Sequence, residues 1–411
     1  MEYHRQFVRA QFSKPHRLLR LPKRSDSDTL DPMKIALAIE HLDHRRGGAE
    51  TYVHDFASWL LAQGHAVQIV TQSAHAPPEG AEVHLVAAGG PEAFAEAVGR
   101  ELSRLAPDVS LATGKALGMT VYQPHGGTVR GSQRQNAALR RSDAARAVKL
   151  LFNRLSPKHR AARRLEALQF ADPRTHFVAI SRMVMADMRS FYGLGAERIT
   201  LVYNGVDVDR FNPERVRAQR DEVRRRLGVA DRATLLLATA HNFKLKGIGE
   251  LIAALERLTG RTEADVRLVV VGRGREGPYR RQVRRLGLGD RVIFAGGAED
   301  MAPFYGAADA FVHPTWYDPC SLVVLEAMAA GLPTLTTRFN GAAELLEGRG
   351  AGLVLDAPRP VARLAEGLAA LLDADRRAEM SRAARAVAEE HSAERNFCEM
   401  LEVLTRAAER I

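Results

Sequence analysis

The chain has 411 residues, with 59 Lys and Arg against 49 Asp and Glu, a formal charge of +10, and 46% apolar residues. At about 150 residues per domain this length predicts two domains with ordinary cores, and the positive balance predicts attraction to an anionic partner, whether nucleic acid, acidic lipid or a phosphorylated substrate. The two cysteines, Cys320 and Cys398, exclude a disulfide framework and suit a reducing compartment.

Residues 1–32 carry seven Lys or Arg in their first 24 positions and no apolar run of signal-peptide length. They are expected to form a flexible basic arm; the alternative is that translation begins at Met33, where the strand-like MKIALAIE starts. No stretch of 18 apolar residues occurs anywhere, so any membrane contact is expected to be peripheral.

From Met33 short apolar runs alternate with helical periods: KIALAIE, AETYVHDFASWLLAQ closed by Gly64, AVQIVT, AEVHLVA, a helix near 91–105, and DVSLAT. The rhythm repeats after ITLVYNG, with TLLLAT, a helix after Gly247, VRLVVVG, RVIFAG, DAFVHP, SLVVLEAMAA, TLTT and GLVLD. Such alternation predicts an α/β fold of two doubly wound parallel-sheet domains in series, with ligands beyond the strand C-termini. The expected bounds are 33–205 for the first Rossmann-like domain, which carries a basic helical insert at 129–170, and 206–385 for the second. A final helix over 386–411 is expected to cross back to the first.

From Arg130 to Arg164 the insert holds eleven Lys or Arg, among them Arg140, Arg141, Lys149 and Arg154, against the single acid Asp143. Interleaved Leu139, Val148, Leu150, Leu151, Phe152 and Leu155 make it amphipathic, which suits an anionic membrane surface; a solvated helical face would read the same way.

Paired glycines Gly47 and Gly48 precede a helix and leave amides open to a phosphate or sugar oxygen, although a plain strand-to-helix turn needs the same residues. His125, in QPHGG at a strand end, is placed to meet a sugar hydroxyl or shuttle a proton. In HNFKLKG, Lys244 and Lys246 follow a strand and are positioned to neutralise a diphosphate. VVVGRGREG has the G-x-G-x-x-G spacing at Gly272, Gly274 and Gly277, but no acid ends the next strand, so it predicts a tight turn near a ligand rather than a dinucleotide site.

The strongest pattern is YDPCSLVVLEAMAAGLPTLTT, in which Asp318 precedes Glu326 by eight residues. Ser321 is expected to cap a helix whose exposed amides, from Cys320 through Leu322 to Val323, bind an anion, with Glu326 one turn in and aimed at the same pocket. A carboxylate there accepts two hydrogen bonds from a pair of sugar hydroxyls. Complementing the helix dipole is the plainer role for Glu326.

Together RRGGAE, QPHGG, VAISRMV, VYNGVDVDRFNP, HNFKLKG, VVGRG and YDPCSLVVLEAMAAGLPTLTTRFNGAAEL resemble the retaining glycosyltransferases of family 4, with HNFKLKG and the insert most similar to its lipopolysaccharide core glucosyltransferases. The resemblance implies the GT-B fold and transfer of a hexose from a nucleoside diphosphate sugar, UDP favoured, to an anionic glycolipid or glycan. It implies no metal or cofactor, no nucleic-acid partner, and a cytoplasmic, peripheral position on the inner face of the membrane. It assigns Glu326 to the ribose, Asp318 and the amides of Cys320 to Val323 to the sugar and phosphates, and Lys246 to the diphosphate. His125 would face the reacting sugar, and Gly48 would admit donor and acceptor. The chain departs from the family in two places. Asp318 stands where Glu is usual, and the Arg common five or six residues before the lysine is replaced by His241 or Ala240, with Lys244 as the compensating cation. A nucleotide-sugar epimerase shares the architecture. A nucleic-acid binder would explain the charge, but Phe152 is the lone aromatic in 130–164.

Overall fold

A computed structural model describes residues 31–45, 47–87, 89–140 and 142–410. The expected basic arm therefore lies almost wholly outside the described residues, as does Arg141. From Lys34 onward the chain packs as one compact unit built on two sheets, both entirely parallel.

The strands of the first half are β1 (Lys34–Ala38), β2 (His41–Leu42), β3 (Ala66–Thr71), β4 (Ser73–Ala74), β5 (Glu82–Leu85), β6 (Val109–Ala112), β7 (Val121–Tyr122), β8 (His176–Ala179) and β9 (Ile199–Leu201). Seven of them form a sheet in the order β5-β3-β1-β6-β7-β8-β9, while β2 and β4 pair separately. The second half contributes β10 (Thr234–Thr239), β11 (Val266–Val271), β12 (Val292–Gly296), β13 (Ala310–His313), β14 (Thr334–Thr337) and β15 (Gly352–Leu355), ordered β12-β11-β10-β13-β14-β15. Helices cover both faces, so the central strands are buried along almost their whole length; this is why they read as continuous apolar runs without alternation.

In each sheet the strand order reverses once, between β1 and β6 and between β10 and β13, and that is where a doubly wound sheet opens a crevice beyond its strand ends. The loop after β10 carries Lys244 and Lys246, and the loop after β13 carries Asp318. Topology alone brings these two loops side by side.

The 129–170 insert is three helices, Val129–Ala138, Asp143–Leu155 and Pro157–Ala171. The breaks are chemical: Ser142 caps the second by accepting from Ala145 N, and Pro157 opens the third. The middle helix leaves Val148, Leu150, Leu151, Phe152 and Leu155 exposed, at 67, 47, 55, 58 and 64%.

The helix Ala374–Glu389 belongs to the second domain, and the next, Ala393–Ala408, packs on the first. Its Phe397 ring lies 5.9 Å from Tyr52, 5.3 Å from Phe56 and 5.8 Å from Trp59. Ala393 N donates to Val206 O at 2.8 Å and Asn396 Nδ2 to Tyr203 O at 2.6 Å, tying this helix to the connection between domains. A buried apolar cluster runs without a break from Ala36 and Phe177, through Val206 and Phe211, to Leu235 and Phe311.

Candidate active site

Asp318 is fixed by its backbone first: its amide donates to Phe339 O at 2.8 Å and its carbonyl accepts from Gly341 N at 2.9 Å, pinning the loop after β13 to the loop after β14. Its Oδ2 accepts from the Lys246 ammonium and from His313 Nε2 at 3.1 Å. His313 ends β13, is buried, and its ring lies nearly parallel to that of Phe311, with centroids 5.9 Å apart. Burial alone pushes the Asp318 carboxyl up, but the Lys246 charge and the His313 hydrogen bond outweigh it and hold Asp318 far below the usual carboxylate range. Burial pushes His313 down against the pull of Asp318. The result is a fixed carboxylate that orients a lysine at the sheet's switch point.

Gly247 explains how Lys246 comes so close. Its φ is +69°, and a Cβ there would lie 2.1 Å from Pro314 O, so only glycine lets the lysine loop press against the loop after β13. Trp316 N and Thr315 Oγ1 then both donate to Leu245 O, at 2.8 and 3.2 Å.

The helix after Asp318 spans Leu322–Ala329. Ser321 occupies its N-cap position, but its hydroxyl makes no capping bond, which corrects the expected Ser321 cap. The Ser321 amide donates to Asn340 Oδ1 at 3.2 Å, so it is not among the exposed amides either. Asn340 thus ties the residue ahead of the helix to a distant loop and leaves the first-turn amides uncapped by a side chain. Glu326, one turn in and part-buried, receives the Tyr305 hydroxyl on Oε2 at 2.6 Å; the same hydroxyl reaches Val323 O at 3.3 Å. Burial raises the Glu326 carboxyl, with the Tyr305 hydrogen bond opposing. Among the described residues nothing donates to Oε1.

The first domain faces this helix directly. A Cβ on Gly48 would lie 2.7 Å from Leu322 Cδ1, so the two domains approach closely here and a larger residue would have to displace the Leu322 side chain. Asn204 Nδ2 donates to Cys320 O at 2.9 Å. Gly127, with φ +67°, lies under the Tyr317 hydroxyl, which a Cβ would overlap. Gly47 faces its own neighbour, Glu50.

His125 is part-buried rather than exposed, with its ring centroid 4.5 Å from that of Tyr52 and Nε2 3.0 Å from Gln123 Oε1. Burial pushes its pKa down to about 3. Burial thus favours the neutral ring, which suits the hydrogen-bonding half of the expectation for His125 more than the proton shuttle.

Gly272 and Gly274 form the tight turn expected of them. A Cβ on Gly272 (φ +144°) would lie 1.8 Å from Ala240 O, and one on Gly274 would enter the Phe243 ring at 2.2 Å. Both glycines are therefore required by the protein's own packing. Lys244 stands apart from Asp318: it is exposed, and its pKa is lowered by partial burial and by repulsion from Arg140 and Lys149 of the insert. Arg154 is also on the insert, where its carbonyl accepts from Arg163.

Sequence reading missed His313, Tyr305, Gln123 and Asn340. A histidine ending an otherwise apolar strand was the available signal for His313, whereas Tyr305 and Asn340 reach the site only through tertiary contacts.

Two family models match the chain, Glycosyltransferase Family 4 over residues 46–210 and Glycosyl transferases group 1 over 232–374. The lipopolysaccharide glucosyltransferase WaaG of Escherichia coli is 29% identical over 206 residues, 50% of this chain and 55% of that protein. A GDP-mannose-dependent alpha-(1-6)-phosphatidylinositol monomannoside mannosyltransferase of Mycobacterium tuberculosis is 36% identical over 195 residues, 44% and 49% of the two chains. The chain thus spans about half the length of the curated relatives it matches. Among solved structures, WaaG superposes with a TM-score of 0.78 at 24% identity over 90% of this chain and 99% of that one. Anabaena Alr3699/HepE in complex with UDP-glucose gives 0.68 at 20% over 91% and 100%. These likenesses establish the GT-B fold. The chain thus matches the glycosyltransferases of family 4 in its first half and those of group 1 in its second.

Proposed function

We propose that the protein transfers a hexose from a nucleoside diphosphate sugar to a hydroxyl of an anionic glycolipid or glycan of the cell envelope, retaining the anomeric configuration and using no metal. The observation that carries this reading is the cluster of Lys246, Asp318 and His313 at the switch point of the second sheet, immediately ahead of the helix bearing Glu326. Lys246 and the first-turn amides would neutralise the diphosphate, and Glu326, with Oε1 open, would accept from the ribose hydroxyls. UDP is favoured as the donor's nucleotide, since HepE, of the same fold, was solved with UDP and with UDP-glucose.

In the proposed step the C1–O bond to the diphosphate breaks and the acceptor oxygen bonds C1 on the same face. The acceptor's proton passes to the departing phosphate oxygen. His125, neutral, would hold a hydroxyl of the reacting sugar, and Gly47 and Gly48 would leave room for donor and acceptor.

The insert supports a peripheral position on the inner face of the cytoplasmic membrane. The exposed apolar side chains of Asp143–Leu155 lie beside Arg140, Lys149 and Arg154, each worth about 1 kcal/mol near an anionic surface. Among the described residues no helix is long and apolar enough to cross a membrane.

Glu326→Ala and Lys246→Ala test the reading. Each should reduce transfer about ten- to a hundredfold, the loss of one charged hydrogen bond, with circular dichroism unchanged. Near-normal transfer by both variants would remove these residues from the donor site, and no transfer by the wild type from any nucleoside diphosphate sugar would remove the reading itself.

A further inference from the structure

The insert does more than line a surface, because it docks on the second domain beside the active-site loop. Arg359 holds it there. Its guanidinium bonds Glu250 Oε1 at 2.6 Å and Leu139 O at 3.4 Å and lies 4.9 Å over the Trp316 ring, two residues before Asp318. Leu139 ends the first insert helix, so Arg140 and the start of the second helix are brought next to Lys244.

There Arg140, Ala145, Val148, Lys149 and Phe152 line a pocket of about 600 Å³. Its cations are unbalanced. The Lys149 ammonium sits 4.9 Å over the Phe152 ring, the nearby acid Glu250 is already held by Arg359, and among the described residues no carboxylate pairs with Arg140, Lys149 or Lys244. Lys244, on the loop after β10, lies outside the lining, and its pKa is lowered by partial burial and then by repulsion from both insert cations. Arg140 and Lys149 stand against an apolar wall of Val148 and Phe152 with Lys244 across from them on the other domain, like charges that repel one another until an anion enters. The wall asks that the anion carry an apolar body.

We infer that Arg140, Lys149 and Lys244 form a subsite for the phosphate of an amphiphilic glycolipid acceptor, bridging the insert and the donor domain. This deepens the transferase reading and rests on it for the word acceptor. Lys244 thereby moves from the donor's diphosphate to the acceptor's phosphate. Lys246 remains with the donor.

Binding to phosphatidylcholine nanodiscs carrying lipid A, to the same discs after phosphatase treatment, and to phosphatidylglycerol discs tests the subsite without requiring turnover. The wild type should prefer intact lipid A. Lys244→Ala and the double variant Arg140→Ala/Lys149→Ala should each weaken that binding about tenfold or more, to the level of the treated discs, while Lys149→Arg retains it. UDP affinity, by calorimetry, should stay within about twofold in the double variant. The subsite is overturned if phosphatase treatment changes nothing, if phosphatidylglycerol binds as tightly as lipid A, or if Lys244→Ala loses UDP affinity as Lys246→Ala does. Failure of the wild type to transfer a hexose from any nucleoside diphosphate sugar would instead strike the transferase reading and leave the lipid A result standing.

Discussion

The Glu344 carboxylate, carried by the second domain, closes the N-terminus of the helix Arg182–Tyr192 in the first, accepting from Arg182 N at 2.9 Å and Met183 N at 2.8 Å. Tyr203 of the interdomain connection donates to it at 2.7 Å. A negative group at a helix N-terminus is favourable, and burial raises this carboxyl while the three donors oppose. The bond spans the two domains beside the cleft, so it couples helix capping to closure.

Glu344→Ala should therefore cost about 1–2 kcal/mol, since it strands the part-buried Met183 amide and Tyr203 hydroxyl, while water can reach the exposed Arg182 amide. Glu344→Gln, which keeps an acceptor, should recover part of that. Urea unfolding measures the loss, and small-angle scattering should show the Ala variant more open. Equal stability of the Ala variant and the wild type would mean that water replaces the carboxylate at no cost.

The pair Lys246 and Asp318 gives a second prediction. Their side chains are only 20 and 14% exposed, so removing one leaves the other short of a partner. Lys246→Met should destabilise more than an exposed pair would, by about 3 kcal/mol at most for such sites, and Lys246→Met/Asp318→Leu should recover much of it. Donor binding should not return in the double variant. A double variant less stable than the sum of both single ones would show that the pair is not coupled in this way.

How far the sequence discloses this site depends on the reach of each contact. Lys246, Asp318 and Glu326 are legible because a strand, a loop and a helix place them locally, and the parallel-sheet rhythm says which loops neighbour one another. Asn340 on the Ser321 amide, Tyr305 on Glu326 and Glu344 across the cleft are not, because each acts on a segment at least 19 residues away. Gly272 and Gly274 are half legible for a related reason: the glycine spacing is visible, but what crowds it, Ala240 and Phe243, is not. His313 hides inside an apolar run because a polar side chain at a strand's C-terminal end interrupts no period.

Acid stability should carry the mark of two histidines. Burial holds His125 at about 3 and, aided by Arg395, His391 at about 4, while an unfolded imidazole protonates near pH 6.5. Between those values the unfolded chain binds more protons, so each ring's contribution is complete above about pH 6.5 and is lost as the pH falls toward the folded pKa, by at most about 1.4 kcal/mol per pH unit. The buried carboxyls Glu166, Asp187, Glu326 and Glu344 are raised and act in the opposite sense. The comparison therefore has to be made by variant. Denaturant midpoints of His391→Asn should fall less steeply than those of the wild type between pH 6 and pH 4; parallel slopes would refute the buried neutral ring.

Gln123 decides which nitrogen of His125 meets a ligand. Its amide nitrogen lies 3.5 Å from Met400 Sδ, which can only accept, and this turns Oε1 toward His125 Nε2 at 3.0 Å. A carbonyl oxygen accepts, so Nε2 carries the proton and Nδ1 is left as the acceptor. The helix Ala393–Ala408, which supplies Met400, thus sets the tautomer of a histidine two domains of sequence away. Nitrogen-15 spectra of labelled His125 should show protonated Nε2 in the wild type and a mixture of tautomers in Gln123→Leu. Gln123→Glu, which places a carboxylate against the ring, should raise the pKa of His125 and introduce an acid limb absent from the wild type; the other titratable group on that face, Tyr52, has its phenol pushed well up by burial and stays neutral. A wild-type ring protonated on Nδ1 would sink the assignment, because the amide would then have to point its nitrogen at the histidine and its oxygen at a sulfur that offers no proton.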